Sequence, residues 1–148
     1  MSMPPLIPLL YQDEQLVVVN KPAGMLVHRS RVADGETRFL LQTLRDQLGR
    51  HLYPVHRLDR PTSGAMVLAL SGEIAASIAG LWHGVAVSKR YLAVVRGYMP
   101  EQGELDHPLV PEADKRVAGS ANREAQEAQS RWRTLACRWG GSGMFGKS

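Results

Sequence analysis

An α+β domain with a mixed, largely antiparallel sheet and flanking helices is predicted by three features of this 148-residue chain. Short apolar runs rich in β-branched residues mix with amphipathic stretches, without the strict strand-helix-strand order of a doubly wound parallel sheet. Hydrophobic residues make up 44% and charged residues 22%, the usage of a folded domain and not of a disordered chain. The length suits one domain around a single core.

The elements follow in chain order. Residues 1–9, with Pro4, Pro5 and Pro8, read as an N-terminal extension. Gln15 to Lys21 is an apolar, β-branched run between the acidic Asp13-Glu14 and Pro22, which predicts a buried strand. Pro22-Ala23-Gly24 makes a turn, and Met25 to His28 resumes extended structure as a hairpin-like partner. From Glu36 to Leu48 the residues Phe39, Leu40, Leu41, Leu44 and Leu48 fall at helical spacing, with Gly49 placed to stop the helix. Pro54 to Gly64 has no period and reads as a loop leading into an apolar strand from Ala65 to Leu70. A second helix is predicted from Glu73 to Val87, weakened by Gly80 and Gly84. Tyr91 to Val95 reads as a further strand, and Pro111 to Gln129 as a polar loop.

The formal net charge of +4 suits a polyanionic partner but is shared by many proteins without one. Cys137 is the single cysteine, which excludes an internal disulfide and a thiolate metal cluster. The histidines His28, His51, His83 and His107 lack metal-ligand spacing. No apolar run approaches membrane-spanning length, and the N-terminus lacks a basic start followed by an apolar stretch, so a soluble cytoplasmic protein is expected.

The chemistry concentrates in His56-Arg57-Leu58-Asp59-Arg60-Pro61-Thr62-Ser63-Gly64. One carboxylate lies between two arginines on a loop bounded by Pro61 and Gly64. Flanking cations favour its ionised form, which suits Asp59 to act as nucleophile or base. Spacing alone does not separate this from a plain surface pairing of Asp59 with Arg57 or Arg60. Ser63 lacks the flanks of a nucleophile elbow, which removes the simplest hydrolase reading.

Three ordered motifs decide more. The nonapeptide, with Val19-Asn20-Lys21-Pro22-Ala23-Gly24 before it and Ser88-Lys89-Arg90-Tyr91-Leu92-Ala93-Val94-Val95-Arg96-Gly97 after it, resembles the pseudouridine synthases of the family that includes ribosomal large-subunit synthase A. The stretches Leu10 to Glu14, Leu26 to Ser30 and Leu105 to Leu109 further resemble the branch of that family that modifies uridine 65 of tRNA. The resemblance runs from about Pro8 to about Leu135 and implies the N-terminal part of a catalytic domain over 10–135, with an atypical glycine-rich tail over 136–148.

It also implies roles. Asp59 matches the catalytic aspartate, which attacks the sugar or the base or abstracts a sugar proton. Arg57 matches the arginine that fills the space left by a flipped nucleotide, and Tyr91 the tyrosine that stacks on the flipped base. Arg60 joins them as an RNA-contacting residue, His56 shapes the loop, and Asn20-Lys21-Pro22 supports it from below. The partner is structured RNA, tRNA above all, met as a monomer and without cofactor or metal. Two other readings remain: a ribosomal RNA synthase, and a non-catalytic RNA-binding protein.

The chain departs from the family after the polar loop. A motif of the form Thr-Gly-Arg-x-His-Gln-x-Arg, whose first arginine pairs with the catalytic aspartate, is absent. Ser130 to Leu135 resembles the family strand at that place, and the chain then turns into Trp139-Gly140-Gly141-Ser142-Gly143. A glycine-rich stretch where a core strand should continue looks like a premature end reached through a shifted reading frame. The expected consequences are an exposed sheet edge and a chain that is poorly soluble or inactive alone.

Overall fold

The computed structural model describes residues 5–28, 38–82, 87–110 and 125–137. The chain divides into two compact units, residues 1–90 and 91–148.

The first unit is a four-stranded antiparallel sheet with two helices. Its strands are β1 (Leu9–Gln12), β2 (Leu16–Lys21), β3 (Tyr53–Pro54) and β4 (Gly64–Ala69), in spatial order β1-β2-β4-β3. Asp13 makes the β1–β2 connection tight: its Oδ1 accepts the amides of Gln15 and Leu16 at 2.7 and 2.8 Å, which holds its carboxyl below the usual range. Along β2 the side chains alternate, so that Val17, Val19 and Lys21 are buried. Met66 and Leu68 of β4 face the same core, which Leu40 and Leu44 of helix α1 (Leu40–Leu48) complete.

Here the structure departs from the expected hairpin. Met25 to His28 does not pair with β2, which lies between β1 and β4. Instead Leu26 forms a parallel bridge with Phe39, and the Leu26 and Val27 carbonyls accept the amides of Leu40 and Leu41. The helix therefore starts later than Glu36: Phe39 is extended and buried, and backbone carbonyls satisfy the first helical amides in place of a capping side chain. Gly49 ends the helix at φ 66°, as its position predicts. Residues 36 and 37 lie outside the described residues.

The expected N-terminal extension also enters this unit. Ile7 is buried in the core, and the Gln47 side chain clamps its backbone, accepting from its amide and donating to its carbonyl, both at 2.9 Å. Helix α2 (Gly72–Trp82) follows β4; none of its residues is fully buried. The remainder of the second expected helix, 83–86, lies outside the described residues.

The second unit is a hairpin of β5 (Gln102–Asp106) and β6 (Gln129–Arg133), paired from Gln102↔Arg133 to Asp106↔Gln129. Trp132 lies over Gly103, where a Cβ would overlap its ring, and Arg131 pairs with Glu104 at 2.8 Å. The strand expected at Tyr91 to Val95 is not formed: the segment joins no ladder, and Val94 is 104% exposed. A strand needs a hydrogen-bonding neighbour, and no described strand lies beside this one. The described residues of this unit include no fully buried side chain. Most of the polar loop, 111–124, lies outside the described residues, as does the tail beyond Cys137. The fold class is α+β with antiparallel sheets, as expected.

Candidate active site

The loop from Val55 to Ser63 connects β3 to β4, and alternate residues fix it. The His56 ring accepts the Val67 amide through Nε2 at 3.0 Å and stacks on Trp82, with centroids 4.1 Å apart and planes at 16°. Leu58 is buried in the core. The Arg60 carbonyl accepts the Gly24 amide at 2.7 Å, and its Nε donates back to the Gly24 carbonyl at 3.1 Å. The Thr62 amide closes a turn on the Asp59 carbonyl at 3.0 Å. Gly24 at φ 82° and Gly64 at φ 130° take backbone conformations that side-chain-bearing residues rarely adopt.

Beneath this loop stands Lys21, 0% exposed. Its Nζ donates to three carbonyls, those of Pro22 at 3.0 Å, Arg60 at 3.3 Å and Thr62 at 2.7 Å. A buried ammonium with all three protons placed is tolerable, because its partners replace water. Burial pushes its pKa down while the Asp59 carboxylate pulls the other way. The support expected of Asn20-Lys21-Pro22 thus resides in a lysine that ties the end of β2 to the two carbonyls, Arg60 and Thr62, that follow Asp59 in its turn.

What remains free is the odd-numbered pair. The side chains of Arg57 and Asp59 are 72% and 78% exposed and approach each other only to 3.9 Å. Such a solvated pair contributes about 0–1 kcal/mol and leaves the carboxylate open to another partner. Arg60 shares the loop, with part of its guanidinium committed to Gly24. Tyr91 belongs to the second unit, where it is 65% exposed and outside any strand. Sequence reasoning missed Trp82, whose signal was slight: one aromatic at the end of an apolar helix. It also missed the Gly24–Arg60 clamp, which joins residues far apart in sequence.

A loop that fixes every second residue and presents an exposed carboxylate with an arginine has the chemistry to attack, or remove a proton from, a substrate brought to it. The family model described as RNA pseudouridylate synthase matches residues 15–143. The chain belongs to this family. The match to RNA pseudouridylate synthases carries past Leu135, where the resemblance was expected to stop, into the glycine-rich stretch. The tRNA pseudouridine synthase C of Vibrio vulnificus strain CMCP6 is 52% identical over 130 residues, 86% of this chain and 53% of that protein. That of Pasteurella multocida strain Pm70 is 55% identical over 107 residues, 72% of this chain and 44% of its own. Among solved structures, human RNA Pseudouridylate Synthase Domain Containing 4 superposes with a TM-score of 0.63 at 31% identity, covering 88% of this chain and 54% of that one. The chain therefore spans about half the length of the pseudouridylate synthases it matches.

Proposed function

We propose that this chain carries the catalytic aspartate of an RNA pseudouridine synthase that isomerises uridine to pseudouridine in tRNA, at uridine 65. The observation that carries the reading is the exposed Asp59 carboxylate on a loop pinned at His56, Leu58, Arg60 and Thr62. The reaction breaks the bond from ribose C1′ to uracil N1 and forms one from C1′ to C5; C5 loses a proton and N1 gains one. Nothing is oxidised or reduced, so one positioned carboxylate suffices as nucleophile or base. A stacked uridine must first leave the helix. Arg57 then occupies the space it vacates, Tyr91 stacks on the base, and Arg60 contacts the backbone. The relatives named tRNA pseudouridine synthase C support the tRNA substrate, and the absence among the described residues of a helix able to cross a membrane agrees with a cytoplasmic setting.

The test is chemical mapping of pseudouridine in unmodified tRNA after incubation with the chain, with Asp59→Ala alongside. Product at position 65 that disappears in the variant is expected; product that survives it overturns the assignment. The same assay on ribosomal RNA separates the ribosomal alternative. A second reading, RNA binding without turnover, draws on Asp59 having only the distant Arg57 as an ion-pair partner among the described residues. Tight tRNA binding with no product in either version selects it.

A further inference from the structure

The loop holding Asp59 has one anchor that depends on protonation. β3 pairs with β4 only at Tyr53↔Ala69 and Pro54↔Leu68, so the ladder ends there. The next inward amide of β4, Val67, is taken by the His56 ring at 3.0 Å in place of a strand carbonyl. Nε2 accepts only while the imidazole is neutral; a proton there would turn the acceptor into a second donor facing the Val67 amide. The surroundings also disfavour the cation. The ring is half-buried and stacked on Trp82 of α2, and β4 presents backbone to it. The charged group bearing on it from outside its own loop is Lys89, which lies 5.9 Å from the Trp82 ring centroid. On its own loop a hydrogen bond with the Arg57 backbone works in the opposite sense, and burial outweighs it.

We propose that His56 is a positioning residue whose neutral ring holds the Arg57 to Thr62 loop in register with β4, and whose protonation releases that loop. The proton acts at His56 Nε2 and is felt at Asp59, three residues along the loop: the Thr62 amide that closes the Asp59 turn lies on the same segment, between His56 and β4. Its consequence for turnover rests on the reading of Asp59 given above; the switch itself does not.

Nuclear magnetic resonance of the full 148-residue chain tests it without requiring activity. The His56 imidazole signal is assigned by its loss in His56→Gln and followed against pH, with amide hydrogen exchange at Val67 and Thr62 measured over the same range. The expected midpoint lies below the value of about 6.5 for a free imidazole. Protection at both amides, corrected for intrinsic exchange, falls by up to about tenfold for each pH unit from about 6.5 down to that midpoint and levels off below it. His56→Gln, whose side-chain oxygen reaches where Nε2 accepts, keeps both amides protected through that window. A midpoint at or above 6.5, as an unstructured chain would give, overturns the proposal. So does loss at Val67 with Thr62 unmoved, which makes His56 a strand-end partner only, and so does a loss that persists in His56→Gln. Asp59→Ala leaves this titration in place, so failure of Asp59 as the catalytic group registers in the tRNA assay and not here.

Discussion

Asp59 differs from Leu58 and Arg60 on either side in having little that immobilises its side chain, and that freedom is maintained by residues that hold the loop from below. Lys21 is the chief of these. Replacing it by Met keeps the apolar stem but leaves the carbonyls of Pro22, Arg60 and Thr62 without their donor inside the fold. Hydrogen bonds from a charged donor contribute about 1.5–3 kcal/mol each, non-additively, so Lys21→Met is expected to lower unfolding free energy by about 3 kcal/mol. Urea denaturation measures this, and a loss under about 1 kcal/mol would mean that water replaces the ammonium. Arg57→Ala separates differently. Its side chain is exposed, so stability should change by less than about 0.5 kcal/mol while tRNA modification or binding falls. A stability loss equal to that of Lys21→Met would count against Arg57 as an RNA contact.

At the scale of elements, legibility followed the kind of interaction. β2 and β4 were readable because both pack apolar β-branched or aliphatic residues on one core, and Gly49 marked the end of α1 through its left-handed backbone. β1 and β3 were not, being short edge strands with exposed side chains and, in β3, a proline; such strands exist through their neighbours' hydrogen bonds and leave no period. The start of α1 was misplaced because Phe39 has helical spacing but pairs with Leu26. In the site, motif resemblance located Asp59, Arg57 and Arg60 on one loop, whereas the Trp82 plate under His56 and the Gly24–Arg60 clamp are long-range contacts that no local pattern encodes. The β5–β6 hairpin offers a check of its own. Trp132 fills the space over Gly103, so Gly103→Val should displace the indole and shift its emission to longer wavelength, read with Trp82 and Trp139 replaced by Phe. Unchanged emission would mean that the ring does not lie over that glycine.

Across the whole molecule, burial is uneven in a way that the two units make plain. Every fully buried side chain among the described residues lies in the first, while Leu92, Val94, Tyr98, Leu105 and Leu109 of the second are exposed. Apolar side chains left in water forgo the hydrophobic free energy that their burial would supply, roughly 25 cal/mol for each Å². A two-stranded hairpin without such burial is marginal in water. Native-state hydrogen exchange should therefore protect the amides of β2 and β4 strongly and those of β5 and β6 by a factor of only about ten or less. The relatives carry about as much chain again as this one spans. Co-expressing the unmatched part of the Vibrio vulnificus protein with this chain is expected to bury the Tyr91 to Val95 segment and slow exchange there, because an extended apolar segment without a ladder readily accepts a neighbouring strand. If that part binds and the exchange of residues 91–95 stays fast, the exposed segment is not where the rest of a pseudouridylate synthase docks, and its apolar side chains serve another contact.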